Sequence, residues 1–157
     1  MYKRILAWLM AVGLMLTTQG VASAWTASAS QTARSTVSVR TSLAGEVVRQ
    51  VNLERARRGL GTLKVSAELS RAARVRANEI TRKFSHTRPD GSAWRTVSSA
   101  AYGENIAMGQ RTADKVMAAW MTSSGHRANI LRASYGSIGV CAVVSGGVTY
   151  WVQLFGK

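Results

Sequence analysis

Apolar positions along the chain change period several times, and each change marks a segment. An unbroken apolar run from Ile5 to Leu16 follows Lys3 and Arg4, and Thr17, Thr18, Gln19 and Gly20 end it. Its 12 residues fall short of the roughly 20 that a membrane-spanning helix needs. With Ala22-Ser23-Ala24 as small residues before a cut, residues 1–24 read as a secretory signal peptide cleaved to leave Trp25 first. Residues 25–42 are half Ser or Thr, contain no acid and show no periodicity, so they read as a flexible lead-in.

Helical periodicity begins with Leu43, Val47, Val48 and Val51, and Arg57-Arg58-Gly59 supplies the cations and glycine of a helix end. Ser66 is a natural N-cap for a second helix. Its apolar face is Leu69, Ala72, Ala73, Ala77 and Ile80, and its wet face is Arg71, Arg74, Asn78 and Arg82. A loop runs from Phe84 to Gly91. Thr112 then caps a third helix, in which Ala113, Val116, Met117, Trp120 and Met121 keep strict helical spacing. Beyond it, Ile138 to Val144 and Val148 to Phe155 are β-rich runs joined by Ser145-Gly146-Gly147, which predicts a hairpin. Helices packed on an antiparallel sheet, an α+β fold, are expected over residues 43–157.

Composition adds three constraints. After removal of 24 residues from 157, 133 remain, enough for one domain with a real core. The sole cysteine, Cys141, excludes an internal disulfide and sits in an apolar run, where a buried, inert thiol is expected. The net charge of +14 becomes +12 without Lys3 and Arg4, and residues 40–83 hold eleven cations against four acids, among them Arg55, Arg57, Arg58, Arg71, Arg74 and Arg82. Such a field attracts anionic lipid or envelope polymer. It lacks the interleaved aromatic residues of a single-strand nucleic-acid groove, so no specific nucleic acid is expected. A soluble, monomeric, secreted or periplasmic protein with no transmembrane anchor after cleavage fits these features.

Candidate chemistry is concentrated in three places. His86 and His126, the only histidines, lie in polar segments marked by Pro89 or Gly125, and Glu104 interrupts a small, apolar stretch between them. Two neutral imidazoles and one carboxylate suffice to hold a zinc ion with a position open for water. Gaps of 18 and 22 residues match no local metal motif. The same residues admit a purely structural role, and Ser123 or Ser124 beside His126 admits a hydrolase. Against the hydrolase, the chain has no Gly-x-Ser-x-Gly elbow.

Together, Asn52-Leu53-Glu54-Arg55, Leu69 to Ala73, Ser85-His86, Gly103-Glu104-Asn105-Ile106, the block from Trp120 to Leu131 and Tyr150-Trp151-Val152-Gln153 resemble the CAP superfamily, or SCP domain. The likeness runs from about Leu43 to Phe155 and is nearest to the compact bacterial branch. It implies a three-layer α-β-α sandwich with a cleft in which two histidines and two acids converge and a divalent metal such as zinc binds. His86, Glu104 and His126 match three of those four positions as metal ligands, Ser123 replaces the fourth acid, and Asn105 joins the cleft set. Family members differ widely in activity, so the resemblance implies a metal- or ligand-binding cleft, with a cationic adhesion module and a metal-dependent hydrolase as rival readings.

Overall fold

The computed structural model describes residues 42–157. The expected signal peptide and the lead-in as far as residue 41 lie outside the described residues. Helix α1 covers 42–56, and Val47, Val51 and Arg55, four residues apart, form its buried stripe. Arg55 therefore does not belong to the surface charge the sequence suggests. Its guanidinium donates to the carbonyls of Gly61 (2.7 Å), Ile130 (2.9 Å), Arg132 (2.9 Å) and Tyr135 (3.2 Å), so the cation is solvated by backbone in place of water. The helix stops at Gly59, whose φ of 68° only glycine adopts cheaply.

Strand β1 is the two-residue Lys64–Val65, and α2 spans Ala67–Ile80 with Ser66 Oγ accepting from Leu69 N–H at 3.2 Å. A short 3-10 turn at Trp94–Val97 leads to β2, Gly103–Met108. Helices α3 (Ala113–Thr122) and α4 (Ser124–Ile130) follow, with Thr112 as the expected cap of α3. Strands β3 (Ser137–Ser145) and β4 (Val148–Gly156) complete the fold. Their hairpin turn holds Gly146 and Gly147 at φ 55° and 76°, the left-handed values that a two-residue turn between twisted strands requires.

The sheet order is β1-β3-β4-β2. The expectation of an antiparallel sheet holds for β3, β4 and β2, but β1 runs parallel to β3 through Lys64 opposite Ser137 and Val65 opposite Ile138. Two residues are too few to show an alternation in sequence. On one face of the sheet, Val47, Val51, Val116, Met117, Trp120 and Ile130 from α1, α3 and α4 pack on Ile138, Ala142, Trp151 and Phe155. On the other, Leu69, Ala73, Ala77 and Ile80 from α2 pack on Ile106, Val152 and Leu154. Three layers result, as the resemblance implies. The approach of α2 is tight at Gly139, where a Cβ would lie 2.2 Å from the carbonyl carbon of Leu69. Among the described residues no helix is long and apolar enough to cross a membrane.

Candidate functional site

Four elements bring the site together: the loop after α2 carries His86, β2 carries Glu104 and Asn105, α4 carries His126, and α2 supplies a buried cation. That cation is Arg76. It falls on the apolar stripe of α2 between Ala73 and Ile80, and its side chain is 0% exposed, as is that of Glu104. Arg76 Nε donates to Glu104 Oε2 at 2.7 Å and Nη2 to Glu104 Oε1 at 3.3 Å. On its other side Nη1 meets Glu79 Oε2 at 2.6 Å, and Glu79 in turn receives Arg88 Nη2 at 2.7 Å. Two buried carboxylates are thus matched by two guanidiniums.

Arg76 and Glu79 are each held charged by their neighbours. Burial opposes ionisation of Arg76, but the hydrogen bonds it donates to Glu104 and Glu79 outweigh it and raise its pKa above the ordinary arginine value. Burial likewise opposes the Glu79 carboxylate, and the hydrogen bonds from Arg88 and Arg76 prevail, leaving its pKa lowered.

The chain of charges ends at the loop histidine. His86 Nδ1 lies 2.8 Å from Glu104 Oε1, while the ring itself is 54% exposed. With Nδ1 committed, Nε2 is the nitrogen offered outward. Arg76 Nη2 also donates to Ser85 O at 2.8 Å, and Trp94 N–H donates to His86 O at 3.0 Å, so the backbone on which the ring sits is fixed as well. Arg88, two residues on, is tied to Glu79. The loop is therefore clamped to α2 on both sides of His86.

His126 comes from the opposite side. The sequence places it in a segment past helix three; the structure gives that segment a helix of its own, with Ser123 as the joint between α3 and α4. Burial first, and then the nearby His86, lower the His126 pKa, so its ring is neutral at neutral pH. Asn105 fixes α4 from behind: fully buried, it donates to His126 O at 3.1 Å and to Gln153 Oε1 at 3.0 Å, and accepts from Asn129 Nδ2 at 2.9 Å. Expected among the cleft residues, Asn105 faces the interior and supports the cleft through backbone. Ser123 is half-buried, caps α4 without a side-chain hydrogen bond, and lies three residues before His126.

Of the expected ligand set of His86, Glu104 and His126, His86 and Glu104 are paired with each other at 2.8 Å. Among the described residues no three His, Cys, Asp or Glu side chains are grouped to hold a metal ion. Both Glu104 oxygens are engaged by Arg76 and one also by His86, which makes the carboxylate an orienting partner of the imidazole. The His86 and His126 imidazoles lie near enough for the charge of one to act on the other.

Arg76, Glu79, Arg88, Gln153 and Asn129 are the site residues that pattern reading passes over. A signal existed for Arg76 and Glu79, since both occupy positions that the α2 periodicity assigns to the core.

This fold, with His86 set on a buried acid, is that of one known family. Residues 48–155 match the profile of "CAP: Cysteine-rich secretory protein family", and the chain belongs to that family. Over 118 residues it is 40% identical to the uncharacterized protein YkwD of Bacillus subtilis (strain 168), across 70% of this chain and 45% of the relative, so it spans under half that relative's length. Among solved structures, an extracellular SCP-domain protein of Bacillus anthracis superposes with a TM-score of 0.68 at 21% identity, covering 76% of this chain and 41% of that one. An outer surface protein of Borrelia burgdorferi gives 0.60 at 19% identity, covering 70% and 88%. These two likenesses show a shared fold.

Proposed function

We propose that this CAP domain acts outside the cytoplasm as a binding module whose cleft takes a divalent cation, or a small ligand of matching polarity, on His86 and His126. The observation that carries this reading is the pairing of His86 Nδ1 with a fully buried Glu104 at 2.8 Å, which fixes the ring and leaves the other nitrogen to a ligand. The neutral His126 ring supplies a second donor. A bound cation would polarise a coordinated water or carbonyl oxygen; this chain's contribution is to orient the two rings, through Glu104 and Arg76 for His86 and through Asn105 for the backbone of His126. The extracellular or surface descriptions of the structural relatives support the location, as does the leader-like run from Ile5 to Leu16.

Calorimetric titration of zinc into the exported protein, prepared without a histidine tag, tests the reading. Binding is expected in the parent and lost in His86→Ala and in His126→Ala, with Ser123→Ala unaffected. A parent that neither binds zinc nor gains thermal stability from it overturns the metal form of the proposal.

Adhesion to an anionic surface has one observation in its favour. Arg71, Arg74 and Arg82 are exposed on α2 and its end, and no ion pair engages them among the described residues. Electrostatic binding of that kind weakens as salt rises, because the Debye length is about 8 Å at physiological strength. Vesicle binding that is indifferent to salt and to Arg71→Gln/Arg74→Gln/Arg82→Gln removes it.

A further inference from the structure

Along α1, Val51 and Arg55 are buried, and Leu53, two residues from each, is 43% exposed on the side turned away from them. Beside it lies a groove of about 450 Å³ bordered by α1, α3 and α4, to which Leu53, Met117 and Met121 give apolar surface. One end of the groove is basic. Arg57 and Arg58, just past the end of α1, border it there, and Arg127 enters from α4. Glu54 is shared between Arg57 at 2.5 Å and Arg58 at 2.6 Å. Arg127 donates to the carbonyl of Met121 at 3.1 Å and makes no ion pair among the described residues. Three guanidiniums set against one carboxylate leave an excess of positive charge that an anionic partner would neutralise.

The apolar surface beside these cations is short. Leu53 and Arg57 are one helical turn apart, about 6 Å. The turn before Leu53 carries Arg49, bound by Glu46 at 2.6 Å, and Gln50, which donates to both Glu46 and Asp114. A long acyl chain seated on Leu53 would therefore run onto carboxylates, and a bare polyanion would leave Leu53 unused. An extended peptide uses both features. Side chains on one face of an extended chain are about 6.7 Å apart, so an apolar residue placed on Leu53 brings an acidic residue two positions on to the arginines.

We propose that this groove docks an extended acidic segment of a partner protein, with one apolar side chain on Leu53, Met117 and Met121 and carboxylates two positions away on Arg57, Arg58 and Arg127. The arginines steer the segment and fix its direction, and the apolar side chain is the anchor that water leaves. The groove is bounded by α1 and α3 and uses none of the side chains of the histidine site, so the proposal stands whether or not His86 and His126 hold a ligand.

Fluorescence anisotropy of the exported protein with a fluorescein-labelled peptide, Ser-Leu-Ser-Glu-Glu, tests it at low salt. Saturable binding is expected, lost when both Glu of the peptide are replaced by Gln and weakened when its Leu is replaced by Ser. On the protein, Arg57→Gln/Arg127→Gln and, separately, Leu53→Glu are each expected to weaken binding at least about tenfold; these side chains are exposed, so the fold does not depend on them. Arg95→Gln removes a cation carried by the 3-10 turn that packs with α2 on the other face of the sheet, and affinity is expected to hold. No saturable binding, equal binding of the Gln peptide, or an equal loss in Arg95→Gln overturns the proposal, the last because it leaves net charge as the whole effect. Phosphatidylglycerol vesicles supply the remaining arm: displacement of the peptide by vesicles, with vesicle binding lost in Leu53→Glu, makes a membrane the occupant and overturns it as well.

Discussion

Arg76→Met tests whether the buried charge chain holds the site together. The substitution keeps the length and apolar character of the side chain within α2 but removes every hydrogen bond that Arg76 gives to Glu104, Glu79 and Ser85 O. The Glu104 carboxylate then keeps His86 as its side-chain partner, and Glu79 keeps Arg88. Removing one partner of a buried ion pair costs about 3–5 kcal/mol, because the remaining carboxylate stays out of water uncompensated. Domains of this size are stable by about 5–15 kcal/mol in total. The variant is therefore expected to remain folded at low temperature, with its midpoint lowered on the order of 10–20 °C. Urea melts of the parent, Arg76→Met, Glu104→Gln and the double variant complete a cycle. The two single losses should exceed the loss in the double variant when summed, since they remove the same contact. A loss below about 1 kcal/mol in Arg76→Met, or additivity within about 0.5 kcal/mol, would refute the account of Glu104 as an acid held by Arg76.

Other consequences are checked more simply. Gly139→Ala places a Cβ 2.2 Å from the Leu69 carbonyl carbon, and forcing α2 off the sheet is expected to cost about 1–3 kcal/mol or more by denaturant melt; an unchanged midpoint would show that α2 does not lie this close. Asn105→Ala removes the hydrogen bonds that Asn105 gives to His126 O and accepts from Asn129 Nδ2, so exchange of α4 amides should accelerate while those of α2 stay slow. For pH, His126 has a folded pKa below its unfolded value of about 6.5, so the unfolded chain binds the proton more readily and stability falls as pH drops below about 6.5. Glu79 also has a lowered folded pKa, and its stabilisation, present above about pH 4.3, is lost as pH falls through the folded value. His126→Gln should flatten the upper window of a melting-temperature profile and leave the lower one; no flattening would count against a desolvated His126.

How far the sequence disclosed this molecule depends on how each element is buried. Helices α1, α2 and α3 have one wet face, so their apolar stripes and caps appear as periods of 3.6 with Ser66 and Thr112 in place. The β3-β4 hairpin was legible because Gly146 and Gly147 mark its turn. Strand β2 has no wet face over Gly103 to Ala107, hence no alternation to read. Strand β1 is two residues long, and α4 is two turns, mostly polar, held in place by hydrogen bonds of His126 O and Asn129 with Asn105 and Glu104 of β2. Both are products of tertiary contact.

The site followed the same division. His86 and His126 stand out as the only histidines and Glu104 as an acid in an apolar stretch; in the fold His86 pairs with Glu104 and acts electrostatically on His126. Their roles were not readable, because a role depends on what else a side chain touches. Arg55 and Arg76 make the point. Each is an arginine placed where a helical period demands an apolar residue, and nothing in the local sequence separates either from the exposed Arg57 or Arg74 except that position. Arg55 turns out to be solvated by backbone carbonyls alone, whereas Arg76 meets carboxylates and converts Glu104 from a candidate ligand into the fixed partner of His86. A cation on a core stripe is therefore a signal that a buried acceptor must exist. Which acceptor it is, and so which residue of a candidate site is spent in holding another, is decided only when the sheet brings β2 over α2.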